Sequence, residues 1–449
     1  MSGLDCWVGI DLGSTTTKAV ILDTDGAILG RGITNSRSNY DVACAVARAE
    51  AFVDARFALA RRALEGDAEL AARAEQLLPV VAASFAEAKH SAALSALREE
   101  LLVAAQNSFY KSWQPALDRV LGEIVDAMEE RAPALFVPGA ERKSDFFRDL
   151  ASSSFMQLSE EAADPGTMPQ DVLIGMFDKA IIRVENQELE VSFEEHVGQA
   201  LDRLLEAAGL EADERGRAGE LMANAVAMPL RERGHVGTGY GRARLPFPKA
   251  SIRSEILCHG LGAHATFPTT RTVLDIGGQD TKAIQVDERG IVTGFQMNDR
   301  CAAGCGRYLG YIADEMNLGV HELGPMAMKS TRKVKINSTC TVFAGAELRD
   351  RLNLGQKRED ILAGLHRAIM LRAMSLLARS GGVHEDFTFT GGVARNPAAV
   401  RALRELVTEN YGERKINISA ASIYTGALGA AIFARRAEDA DESTEEAAA

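Results

Sequence analysis

The 449-residue chain has no run of apolar residues approaching the ~18 that a membrane-spanning helix needs, and no basic stretch precedes an apolar core at its start. Neither a membrane span nor a leader is therefore expected. Positive charge is in short supply: 50 Lys and Arg against 63 Asp and Glu leave a net charge of −13, which disfavours nucleic acid as a partner. Cysteine is scarce too. Six cysteines without framework spacing argue for a reducing, cytoplasmic compartment rather than a disulfide scaffold. Two familiar nucleotide signatures are missing: no Gly-x4-Gly-Lys-Ser/Thr occurs, and no Gly-x-Gly-x-x-Gly opens a helix after a strand. His259 and His264 flank a glycine-rich turn without supporting ligands, so no metal is expected there.

What is present is a duplication. Asp11-Leu12-Gly13-Ser14-Thr15-Thr16-Thr17-Lys18-Ala19-Val20-Ile21-Leu22-Asp23, followed by Gly26, returns as Asp275-Ile276-Gly277-Gly278-Gln279-Asp280-Thr281-Lys282-Ala283-Ile284-Gln285-Val286-Asp287, followed by Gly290. Each copy begins at the end of an apolar strand, makes a tight polar turn and continues as a second strand. Asp25-Gly26 and Arg289-Gly290 then start a third. Glycine in such a tip lets backbone N–H groups approach a phosphate, and Ser14, Thr15 and Thr16 add hydroxyl donors. Asp11 and Asp275 at the strand ends suit a hydrated Mg²⁺, which prefers carboxylate and water. Two such hairpins facing each other would clamp a polyphosphate, with Lys18 and Lys282 nearby. Gln279 or Asp280 would orient an attacking water, since phosphoryl transfer depends on positioning and charge stabilisation.

A further turn fits the same chemistry. The strand Phe387-Thr388-Phe389-Thr390 enters Gly391-Gly392-Val393-Ala394-Arg395-Asn396-Pro397 and then a helix, and paired glycines there admit a flat ring and ribose. Tyr424 to Ala431 is a helix with small residues on one face, suited to close helix packing. These features together resemble the actin, Hsp70 and sugar-kinase ATPase superfamily over roughly residues 5–35 and 236–436. That resemblance implies an α/β fold with duplicated ATPase lobes: 1–35 and 236–270 in the first, joined by a helix at 424–436, and 271–436 in the second. Residues 36–235 read as a mainly helical insertion, because Tyr40 to Glu65, Ala68 to His90, Ser91 to Glu130 and Glu194 to Ala225 are rich in helix formers. Breaks are expected at Pro133 to Gly139 and Pro165 to Pro169. The acidic tail at 437–449 is expected to be disordered.

Three cysteines crowd between the second hairpin and the Gly391 turn. Cys301 and Cys340 each precede a helical stretch, with Asn298 or Asp299 and Asn337 or Ser338 as candidate N-caps. A helix N-terminus favours an anionic sulfur or cluster. Two thiolates are too few for a four-iron cluster, which normally takes four cysteines, so a partner presenting the same pair would complete it. Cys305, one helical turn past Cys301, is read as a packing residue with a third-ligand role as the alternative, and Cys6, Cys44 and Cys258 as structural.

The segments Asn298 to Gly304 and Asn337 to Ala344 are similar to the BadF/BadG/BcrA/BcrD ATPase family, as are Thr238-Gly239-Tyr240-Gly241-Arg242, Ser254-Glu255-Ile256 and Cys258-His259. The chain departs from that pattern at Cys305, usually a small hydroxyl residue, and at Gly345-Ala346-Glu347. The resemblance implies ATP and Mg²⁺ between the lobes and a [4Fe–4S] cluster bridging this chain and a homologous ATP-binding subunit, with Cys301 and Cys340 as this chain's ligands. It further implies a ferredoxin-like electron donor and substrate-reducing iron–sulfur subunits as partners. The long insertion points to the larger ATP-binding subunit of an ATP-dependent benzoyl-CoA reductase. The alternatives are an activator of a 2-hydroxyacyl-CoA dehydratase and, in a different class, a small-molecule kinase.

Overall fold

The computed structural model describes every residue except 1–2, 37–38, 115, 138, 141, 143, 165–167, 188, 190, 240–242, 244, 299–304, 337–340 and 449. It divides into two compact units: Met1–Leu4, Arg37–Val46 and Phe52–Leu230 form one, and Asp5–Ser36, Ala47–Ala51 and Arg231–Ala449 the other.

The first unit is helical: α1 (Tyr40–Glu65), α2 (Ala74–Ala105), α3 (Ala116–Leu135), α4 (Phe147–Ala162), α5 (Gln170–Glu185), α6 (Phe193–Ala207) and α7 (Ala212–Ala227). The amphipathic pattern explains α3, whose buried Leu117, Val120, Leu121, Ile124, Val125 and Met128 recur at helical spacing. They share a core with Leu94, Leu97 and Leu101 of α2 and with Phe155 and Phe177, whose rings stack at 4.5 Å. Local signals set several ends: the Asn39 side chain accepts from Asp41 N and Val42 N, and Ser192 Oγ accepts from Glu195 N. The break expected over Pro133 to Gly139 is where α3 ends, at Leu135 with Pro133 in its last turn, and α4 and α5 were not anticipated by composition.

In the second unit, β1 (Leu4–Leu12), β2 (Thr16–Leu22), β3 (Ile28–Asn35) and β4 (Leu230–Thr238) make a sheet in the order β3-β2-β1-β4. Strands β5 (Thr272–Ile276), β6 (Thr281–Val286), β7 (Val292–Asn298), β8 (Asp386–Thr390) and β9 (Lys415–Asn417) make another in the order β7-β6-β5-β8-β9. The duplication is carried into the finest details. Asp11 pairs with Lys18 and Asp275 with Lys282, and each second strand shifts register at one corresponding place, Ile21/Leu22 and Gln285/Val286. Asp23 Oδ1 accepts from Asp25 N and Ala27 N, as Asp287 Oδ1 does from Arg289 N and Ile291 N. The glycine after each has φ +78°.

Between the sheets run α8 (Glu255–Thr266) and α14 (Thr425–Ala448). They cross where Gly262 and Gly429 leave no room for a side chain, and Ala427 and Ala431 of α14 close on Gly9 of β1. The second sheet is covered by α9 (Gly306–Met316), α10 (Val320–Met328), α11 (Thr341–Asn353), α12 (Arg358–Ser380) and α13 (Pro397–Tyr411) around a core holding Ile276, Ile312, Leu365, Phe387, Phe389 and Leu403. Among the described residues, α12 alone is long and apolar enough to cross a membrane, and most of that stretch is buried in this core. Helix α14 continues to Ala448. One expectation needs correction. Asn298 ends a strand, and the helix after it starts only at Gly306 with Cys305 at its N-cap, because the β7 ladder pairs Asn298 with Thr281.

Candidate active site

The first hairpin turn follows Asp11 and the second follows Asp275, so the duplication delivers one carboxylate from each sheet to a common point. Helix α8 adds Glu255 and His259, which its i,i+4 spacing places on one face. Asp11, Glu255, His259, Asp275, Asp280 and Lys282 are all buried. Gly426 of α14 backs them, and a Cβ there would come within 2.8 Å of Asp11 Oδ2.

Lys282 is the hub. Its Nζ lies 2.8 Å from Glu255 Oε1, 2.9 Å from Asp280 Oδ2 and 3.3 Å from Asp275 Oδ2. Burial alone would lower its pKa, but these three carboxylates hold it well above the usual lysine value. His259 Nδ1 lies 3.3 Å from Asp275 Oδ1, and its Nε2 3.8 Å from Asp11 Oδ2. Desolvation works against an imidazolium there too, yet the Asp275 charge raises the His259 pKa. Asp275 also accepts from Thr390 Oγ1 at 2.8 Å; burial opposes its ionisation, and His259 and Lys282 overcome that, holding it below the ordinary aspartate range. Burial pushes Glu255 the other way, up from the carboxylate range, against the pull of Lys282.

Among the described residues, four carboxyl groups crowd one lysine ammonium and the His259 ring. Asp11 Oδ1 is buried and has no hydrogen-bond partner among the described residues. An orphaned carboxylate oxygen in so acidic a centre fits a divalent cation, and Asp11, Glu255 and His259 offer ligand atoms within 4.8 Å of one another. The histidine dismissed on sequence grounds thus belongs to the one metal-competent group found among the described residues, because the fold supplies partners that lie far away in sequence.

The hairpin tips lie above this centre. Gly278 abuts Thr15, and a Cβ at 278 would overlap the Thr15 hydroxyl and come 3.6 Å from Ser14 Oγ. Gly13, Ser14, Gly277 and Gln279 are half-buried around the contact. Lys18 turns back on its own hairpin, donating to Thr16 O at 2.9 Å. Lys282, read from sequence as a phosphate contact, instead neutralises the carboxylates beneath, since its strand position points it into the buried centre. Asp280, read as a candidate for orienting water, is bound to that same ammonium. Gly391 and Gly392 follow β8, and Gly391 packs on Ile276 at the end of β5, beside the second hairpin. Asn396 is used locally, capping α13 by accepting from Ala398 N and Ala399 N. The tip also reaches α9: Gly306 N donates to Gly277 O at 2.8 Å and Arg307 N to Gly278 O at 2.7 Å. Cys301 and Cys340 lie outside the described residues. Cys305 is buried and in no disulfide, as are Cys6, Cys44 and Cys258.

Residues 8–434 match the BadF/BadG/BcrA/BcrD ATPase family. The chain belongs to that family. The ATPase is 44% identical over 199 residues to the (R)-2-hydroxyglutaryl-CoA dehydratase activating ATPase of Acidaminococcus fermentans, a match covering 44% of this chain and 74% of the relative. It is 31% identical over 175 residues to one of the benzoyl-CoA reductase subunits of Thauera aromatica, covering 39% and 62%. A solved activator of the 2-hydroxyisocaproyl-CoA dehydratase from Clostridium difficile, with bound ADPNP, shares the fold at TM-score 0.50 and 24% identity, covering 98% of this chain and 97% of that one. The fold class read from the duplicated hairpins is therefore the observed one. Glu255 and His259 were quoted from sequence only as part of a similar block; their i,i+4 spacing on a short helix was the signal available.

Proposed function

We propose that the ATPase is the ATP-hydrolysing activator of a 2-hydroxyacyl-CoA dehydratase, delivering one electron at low potential to that partner. The observation that carries this reading is the pair of backbone hydrogen bonds from Gly306 and Arg307 to the second hairpin tip, which tie the phosphate side of the site to the helix that follows Cys301. The higher identity to a dehydratase activator than to a benzoyl-CoA reductase component supports it, and moves the reductase reading to second place. That second reading keeps one argument of its own, the helical unit between β3 and β4.

In this mechanism Asp11 would hold Mg²⁺, which would supply charge to screen the phosphates. Backbone N–H groups of Ser14, Thr15, Gly278 and Gln279 would bind the β- and γ-phosphates from two sides, those of Gly13 and Gly277 being used within the hairpins by Asp11 O and Asp280 O. Glu255, its proton affinity raised by burial, accepts the proton of the attacking water as ADP and phosphate form. Lys282 and His259 keep Asp275 ionised and the carboxylate frame rigid. Gln279, half-buried at the tip, would orient the water. When the tip relaxes after hydrolysis, Gly277 and Gly278 draw on the α9 N-terminus through their carbonyls. A [4Fe–4S] cluster, held by Cys301, Cys340 and the same pair from a second copy of the chain, would supply the one-electron chemistry.

The test is anaerobic co-expression with the dehydratase subunits, followed by iron and sulfide analysis, EPR and ATP-dependent turnover. Cluster EPR and ATP-dependent dehydration of a 2-hydroxyacyl-CoA are expected, with Cys301→Ser and Cys340→Ser each losing the signal. ATP-dependent reduction of benzoyl-CoA instead would favour the second reading. Protein without iron that phosphorylates a small alcohol would replace both with a kinase.

A further inference from the structure

We infer that His366 is a positioning residue for the nucleotide turn: acting through Asn396, it fixes the Gly391–Gly392 turn and so sets ATP affinity without touching ATP. The inference rests on the ATPase reading.

His366 lies on α12, completely buried. Its Nδ1 is 2.7 Å from Leu362 O, a group that can only accept, so Nδ1 carries the proton. Nε2 is then bare. It sits 3.0 Å from Asn396 Nδ2 and accepts from it. The orientation of that amide is set independently, because Asn396 Oδ1 accepts from Ala398 N at 3.0 Å and Ala399 N at 3.2 Å. The hydrogen bonds therefore run one way, from the α13 backbone into Asn396, from Asn396 into His366, and from His366 into α12. Burial lowers the His366 pKa to about 4, so the ring is neutral at ordinary pH, as this arrangement requires.

Asn396 has no freedom to reorient. Gly324 of α10 packs on it so closely that a Cβ there would lie 2.6 Å from Oδ1. Its backbone continues the constraint: Asn396 N donates to Val393 O at 3.0 Å, Ala394 N to Gly391 O at 3.2 Å and Gly391 N to Ser422 O at 3.3 Å. At the far end of this chain of contacts, Gly392 faces open space, with no atom within 4 Å of where its Cβ would stand. A buried imidazole that holds a cap, which holds a turn bordering open space next to a phosphate hairpin, serves what binds in that space.

The experiment uses the full-length chain with Mg²⁺ and ATP, measuring ATPase kcat and KM, the Kd of a non-hydrolysable ATP analogue, and thermal stability. His366→Leu is expected to raise KM and Kd about tenfold, equivalent to ~1.4 kcal/mol, with kcat within about twofold. His366→Gln, which can still accept from Asn396, should recover most of the affinity. Asn396→Asp keeps a good helix cap but removes the donor to His366, and should weaken binding as His366→Leu does. Combining the two should cost no more than either alone. A folded His366→Leu with wild-type KM and Kd would overturn the inference whatever its melting temperature, as would Asn396→Asp at wild-type affinity. Should His366→Leu not fold, Asn396→Asp decides. Wild-type protein that binds no ATP would sink the ATPase reading itself.

Discussion

Gly278 of the second hairpin stands against Thr15 of the first with no room for a side-chain carbon between them. The two residues are equivalent to within one position of the repeat, so the duplicated tips meet almost symmetrically. Only the second copy has glycine there; the first has Ser14. The sequence difference between the copies is what allows the tips to close.

Gly278→Ala is expected to force the tips apart and lower ATPase kcat/KM at least about tenfold, since misplacing reacting groups by an ångström is that costly. Thr15→Ala in the same background removes the overlapping hydroxyl and should restore part of the loss. Steady-state phosphate release checks both, and wild-type rates in Gly278→Ala would discard the tip contact as functional.

Lys282→Met leaves Asp275, Glu255 and Asp280 buried around no ammonium. Removing one partner of a buried ion pair costs ~3–5 kcal/mol, which for a unit of this size lowers the melting temperature by roughly 10 °C. Glu255→Gln in the same protein should recover some of that stability, and calorimetry is the check. An unchanged melting temperature in Lys282→Met contradicts the network.

Glu255→Gln alone should fold and bind ATP, yet lose about 100-fold or more in kcat, the usual contribution of a general base. A kcat near wild type would remove Glu255 from the role of base.

Asp11→Asn and Asp275→Asn should differ despite their equivalence in the repeat. Asp11 has the orphaned oxygen, so its loss should raise the Mg²⁺ concentration needed for hydrolysis about tenfold or more. Asp275 is spent on Lys282, His259 and Thr390, so its loss should appear chiefly as lower stability. Magnesium titrations of ATPase rate separate the two, and equal Mg²⁺ requirements would refute the assignment.

Acid should destabilise both units. His90 in the helical unit, enclosed by Phe136 and Phe147, and His366 in the other each have a pKa lowered from 6.5 to about 4, first by burial. The unfolded chain therefore binds more protons than the folded one between those values. Stability from these residues is complete above about pH 6.5 and is lost as pH falls towards 4, by roughly 3 kcal/mol for His366. Urea melts across that range should show the slope, and His90→Leu should flatten it for the helical unit. A flat profile in wild type would mean that the imidazoles are not held neutral.

The ATPase lobes were legible because their signals are local. The period-two strands, the Asp-x-Gly tips and the turns at Gly26 and Gly290 are set by neighbouring residues, and the second copy confirmed the first. Asn396 was legible as part of a strand–turn–helix unit, though its use as the α13 cap was not. The metal-competent group was not legible. Glu255 and His259 are a helical turn apart, but Asp11 lies more than two hundred residues earlier, and nothing local announces that α8 carries them to it.

By itself the sequence determined the duplicated hairpins, the Gly391–Gly392 turn and the helical character of the long segment between β3 and β4, since each follows from spacing, turn chemistry and helix propensity over short stretches. Only the tertiary structure decided how the equivalent residues diverge. Asp11 is left with an open oxygen while Asp275 is saturated, and Lys18 folds back on its own hairpin while Lys282 is buried among carboxylates. The reason is physical: α8 packs its Glu255 and His259 where Lys282 and Asp275 point, and a buried charge takes whatever partner the packing brings within reach.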